Sequence, residues 1–216
     1  MVNRDYFRNL NYAEKLWHVA KNANAVIFAY ERLDMHRESA AIQMARIWEA
    51  VARFRMATPE PQPDASQEEM MAYVMAAKDR MKPVLYEVHF YFVAWTNCGH
   101  MLKVITGQPE FLEAKKVFNS FRKTFDHYAD ARHSFEHFHD RLPGRPDERK
   151  VKELQAPNAG PRRVYVGFEG TSYKHSDKSW DISPVSLELL NQAIDEVVTV
   201  LHRIVDDQVE SKFSST

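Results

Sequence analysis

The 216 residues, 44% of them hydrophobic, suffice for one domain with a sizeable core. Lysine and arginine total 29 against 30 aspartates and glutamates, so the formal charge of -1 excludes global attraction to a polyanion, and any nucleic-acid contact must come from a local patch. A single cysteine, Cys98, excludes an internal disulfide and thiolate-rich zinc sites within one chain.

One cysteine also fits a reducing compartment. The opening stretch MVNRDYFRNLNYAEK lacks the apolar core of a signal peptide. The most apolar run, VLYEVHFYFVAW from Val84, is broken by Glu87 and His89 and falls short of the ~20 residues a membrane span requires. The expectation is a cytoplasmic chain with no membrane partner.

In chain order, apolar residues recur at three- and four-residue steps, and only 6 glycines interrupt them, so helices should dominate. Ala13, Leu16, Trp17, Ala20, Ala23 and Ile27, then Met44, Ile47, Trp48 and Val51, predict helix over roughly Tyr12 to Met56, as one helix or as two divided near Asp34. TPEPQPDAS must be a loop, because its prolines lack amide donors and clash with a preceding turn. Ser66 suits an N-cap, with Glu68 and Glu69 opposing the positive helix end. Pro83 predicts a kink or short break before the aromatic run Tyr86, Phe90, Tyr91, Phe92 and Trp95, whose spacing reads as core. Gly107 suits a left-handed helix end, and Pro109 the start of a helix running to about Arg141. The chain then turns rich in breakers and charge. Val164, Val166 and Phe168 alternate ahead of Gly170, predicting a small β-hairpin or extended insertion near residues 163–182. Ser183 and Pro184 open the last helix, whose Leu187, Leu190, Ile194, Val197, Leu201 and Ile204 form an unbroken stripe. The fold class is therefore all-α, a single-domain bundle of about five to seven helices.

Ten histidines occur, four of them (His127, His133, His137, His139) within thirteen positions. On an ideal helix Tyr128, Ala131, Phe135, Phe138 and Leu142 form the core-facing stripe, bordered by Arg132, Glu136 and His139, with His133, His137 and Asp140 in a second polar row. Three readings compete. In the first, this is the wet face of a bundle helix with an Arg132–Glu136 ion pair worth ~0.3–0.5 kcal/mol. In the second, His133 and His137 bind one zinc ion together with Asp140 or His139. The carboxylate-histidine spacings Asp130 to His133 and Glu136 to His139 lie on one helix, which argues against a two-metal centre needing two facing helices.

The third reading follows from RHSFEH, that is Arg132, the polar His133, Ser134-Phe135-Glu136, then His137. This run resembles the R-φ-x(3)-H signature of the HEPN (higher eukaryotes and prokaryotes nucleotide-binding) superfamily. The resemblance implies a helical bundle that dimerises to bring two motifs together, forming a metal-independent endoribonuclease that needs no cofactor. Arg132 and His137 would be catalytic, while His133, His139 and Arg141 would bind RNA, with Arg145 extending the basic rim. Many toxin members of the family continue to a tyrosine where this chain has His139, which puts control through that tyrosine in doubt. An inhibitor protein, if one acts, is not identified by the chain.

The residue types suit that chemistry. Cleavage through the ribose needs a proton taken from the 2′-hydroxyl, a proton given to the departing 5′-oxygen, and charge stabilised on phosphorus. His137 can move protons, and Arg132 can clamp phosphate with its planar donor fork. On one straight helix these two side chains point about 140° apart, so a shared phosphate requires Arg132 of one chain to meet His137 of another across a two-fold axis. The rival function is a helical RNA-binding or dimerisation module without catalysis. Cys98 and His100 are two positions apart and diverge on a helix, so a cysteine nucleophile is discounted. No glycine-rich phosphate loop, nucleophile elbow or Rossmann fingerprint occurs.

Overall fold

In a computed structural model describing residues 10–58, 62, 64–136, 166–175 and 178–214, three helix starts are set by side-chain caps. Helix α1 (Tyr12–Val19) opens with a capping box: the Asn11 side chain accepts from the Glu14 amide at 3.0 Å, and the Glu14 carboxylate accepts from the Asn11 amide at 2.8 Å. Helix α2 (Ala23–Ala57) follows. The two-helix alternative holds, but the break falls at residues 20–22 rather than near Asp34. Ala20 is extended there, with ψ 134°, whereas aspartate inside a helix costs only a fraction of a kcal/mol and cannot by itself end one. The early break lets α1 pack on both α2 and the last helix.

Ser66 caps α3 (Gln67–Thr106) as its sequence indicates, through a second capping box with Glu69. Hydrogen bonds from the Ser66 amide and then the Ser66 hydroxyl hold that Glu69 carboxyl below its ordinary pKa. Of the kink or short break expected at Pro83, the break is absent: the helix runs on through it. Val84, Val88, Tyr91, Phe92, Trp95, Cys98, Leu102 and Ile105 are all buried beyond it, and that burial outweighs one lost amide donor. The aromatic run divides: Tyr91, Phe92 and Trp95 enter the core, while Tyr86 and Phe90 are exposed at 62% and 52%.

Gly107 ends α3 without a left-handed backbone, at φ -72°. Room explains this glycine, because a Cβ would lie 2.9 Å from the Lys103 carbonyl oxygen that its own amide bonds. A 3-10 turn (Pro109–Phe111) then leads into α4 (Leu112–Glu136).

The extended region is a three-stranded antiparallel meander, one strand more than a hairpin: β1 (Val166–Glu169), β2 (Ser172–His175) and β3 (Lys178–Asp181), in that order. Gly170 turns between β1 and β2 at φ +58°, where glycine pays no Cβ penalty. Phe168 pairs with Tyr173 and Tyr173 with Trp180, an aromatic ladder laid on Phe92 of α3. Val164 lies outside the described residues.

Helix α5 (Pro184–Ser214) starts where Ser183 Oγ accepts from the amides of Val185 and Ser186. Leu190, Ile194, Val197 and Leu201 are buried, with Leu187 and Ile204 packed at the margin, as the stripe requires. The result is an all-α bundle with a small β insertion. Among the described residues no helix is long and apolar enough to cross a membrane.

Candidate functional site

Helix α4 presents the polar segment through its buried face. Tyr128 and Ala131 are buried, Phe135 packs at the core margin, and Ser134 is buried with them, so Arg132 and Glu136 emerge at the edge of the α3–α4 contact. Arg132 Nε donates to Glu136 Oε1 at 2.7 Å, both side chains being partly exposed. The ion pair expected of a bundle helix is therefore present. His133 is exposed.

His137, His139 and Arg141 lie outside the described residues, as do Phe138, Asp140, Leu142 and Arg145. The expected meeting of Arg132 with His137, and the zinc reading that needs His137 with His139 or Asp140, fall there too. Among the described residues no group of three histidines, cysteines or acids could hold a metal ion.

The structure brings His89 to this edge instead. Its ring lies 5.0 Å from that of Phe135, centroid to centroid, and its Nδ1 is buried without a hydrogen-bond partner among the described residues. Burial lowers the His89 pKa; the Glu136 carboxylate pushes it back up, and the Arg132 guanidinium lowers it further. A neutral imidazole that senses both members of the ion pair results, and neutral imidazole is the form that accepts a proton. The signal in the sequence was a histidine inside the apolar run VLYEVHFYFVAW, which registers only as an interruption of hydrophobicity.

Cys98 is fully buried and its thiol is pushed up to about 12 by burial, so it is inert, as its spacing from His100 suggested. No family model, curated protein or solved structure matches the chain.

Proposed function

We propose that this protein is a HEPN-like, metal-independent endoribonuclease that acts as a homodimer. The observation that carries the reading is Arg132, held in the last described turns of α4 on a helical bundle, partly exposed, paired with Glu136 and within electrostatic reach of the His89 imidazole. In this reading Arg132 binds the scissile phosphate and His137 of a second chain takes the 2′-hydroxyl proton. The 2′-oxygen bonds to phosphorus, the bond from phosphorus to the 5′-oxygen breaks, and His137 returns the proton to that oxygen. The products are a 2′,3′-cyclic phosphate and a 5′-hydroxyl. His133, His139 and Arg141 orient the strand. A stress response or phage defence is the proposed setting, on the family resemblance alone.

One observation favours a second reading, an RNA-binding or dimerisation module without catalysis: the Arg132 guanidinium is already engaged by Glu136. The deciding experiment incubates mixed RNAs with the protein in excess EDTA, beside Arg132→Ala and His137→Ala. Cleavage that ends in 2′,3′-cyclic phosphate and is lost in both variants supports the nuclease. Cleavage surviving in both is contamination and rejects it; no cleavage by the parent protein leaves the binding module.

A further inference from the structure

Helices α3 and α4 pack side by side, and a groove of about 400 Å³ opens between them. Its floor lies at Gly99, where an added Cβ would stand 3.0 Å from the Phe125 ring, so glycine here allows the two helices to close over that ring. The rim is cationic. Lys103 comes from α3, and Lys115 and Arg122 from α4, with Asp126 as the single acid among the described residues lining it. Asp126 sits 3.6 Å from Arg122. Lys103 and Lys115 are exposed and have no acid partner among the described residues. In a chain with a formal charge of -1 this is a local excess of positive charge, the kind of patch that composition alone could not place.

The groove also points somewhere. Its lining reaches Ala129, less than one turn before Arg132 on α4. Along α3, His89 and Lys103 are separated by about 21 Å at 1.5 Å per residue, so cations stand at one end and the Arg132–Glu136–His89 edge at the other. A cleft between helices packed 8–10 Å apart, roughly, has no room for a duplex.

A second groove shows the contrast. It opens between α2 and α3, at about 490 Å³, and is lined by Arg46, Arg53 and Arg80. Arg53 is paired with Glu49 at 3.0 Å, Arg80 donates to Thr58 Oγ1 and to the Ala57 carbonyl, and Glu87 adds a further acid.

We infer that the α3–α4 groove binds the sugar-phosphate backbone of a single RNA strand and leads it to Arg132. Lys103 and Lys115 contact phosphate oxygens, and the Asn119 amide on the same wall adds a neutral donor. The choice of RNA over other polyanions rests on the ribonuclease reading above; the charge distribution does not.

The test uses the full chain and a fluorescent single-stranded RNA of about 12 nucleotides with 2′-O-methyl riboses, which cannot be cleaved through the 2′-oxygen. Anisotropy is followed against salt in EDTA. Lys103→Glu with Lys115→Glu should weaken binding about tenfold or more and reduce the log-log salt slope by about 1.4, at ~0.7 per lost phosphate contact on a single strand. Lys103→Gln with Lys115→Gln should give the same change in slope with a smaller loss, and Arg46→Glu in the other groove should stay within about twofold of the parent. Unchanged circular dichroism shows that the exposed substitutions leave the fold intact. The inference is overturned if the parent fails to bind, if the lysine variants bind as the parent does, or if Arg46→Glu costs as much as they do. The two readings separate cleanly. Groove-dependent binding without cleavage of unmodified RNA keeps the groove and removes the nuclease, whereas cleavage undiminished by the lysine variants keeps the nuclease and removes the groove.

Discussion

The indole of Trp95 lies flat on the phenol ring of Tyr128, centroids 4.0 Å apart and planes 11° from parallel, and the Tyr128 hydroxyl donates to the Asp181 carbonyl at 2.8 Å. One side chain thus ties α3, α4 and β3 together a single turn before Arg132. Tyr128→Phe keeps the stack and leaves a partly buried carbonyl without this donor, costing about 1 kcal/mol; Tyr128→Ala should cost about 3–5 kcal/mol. Urea unfolding of the two variants measures both, and equal losses would show that the hydroxyl, rather than the ring, carries the contact.

Glu136 neutralises the cation that the proposed function needs. Glu136→Gln should change stability by less than about 0.5 kcal/mol, because the pair is partly exposed and lies on a helix surface. With the acid gone, RNA affinity should rise about two- to fivefold in the same anisotropy assay. A weaker complex would mean that Glu136 positions Arg132 for the strand instead of competing with it.

Cys98 should be silent in the folded chain. With burial pushing the thiol up to about 12, a thiolate-directed reagent near pH 8 should leave the native protein unlabelled and modify it fully in denaturant. Labelling of the native protein at the denatured rate would place the thiol in contact with solvent.

Stability should fall as the solution is acidified, in two stages. His36, His89 and His202 each have a lowered pKa, burial being the first cause, so the folded chain holds fewer protons on them than the unfolded chain. Their contribution is complete above the ordinary histidine value near 6.5 and declines below it. At lower pH Asp206 follows. Burial alone would raise its pKa, but hydrogen bonds from Lys15 and Tyr12 and the Lys15 charge hold it below the usual carboxylate value. That contribution is present above the unfolded value and is lost as pH falls through the folded one. Denaturant midpoints between pH 7.5 and 3, roughly, trace both stages, with His202→Gln flattening the first and Asp206→Asn the second. A profile unchanged in His202→Gln would show that this imidazole titrates alike in both states.

The starts of α3 and α5, and the last stripe, were legible in the chain because they depend on neighbours. Ser66 marks its cap through a contact with Glu69 three residues on, Ser183 is followed at once by Pro184 at the first helical position, and the α5 stripe needs only the 3.6-residue period. Gly107 misled because the approach of the Lys103 carbonyl overrode its local habit, and at Pro83 burial of the residues that follow kept the helix from breaking.

The amino-acid sequence by itself determined the all-α class, the Arg132–Glu136 pair one helical turn apart, and the motif that suggests ribonuclease chemistry. Only tertiary structure decided that His89 packs on Phe135 within electrostatic reach of that pair, and that Lys103 and Lys115, on different helices, share a groove. Periodicity reports which way a residue faces on its own helix; which residue of another helix stands opposite depends on how the two pack.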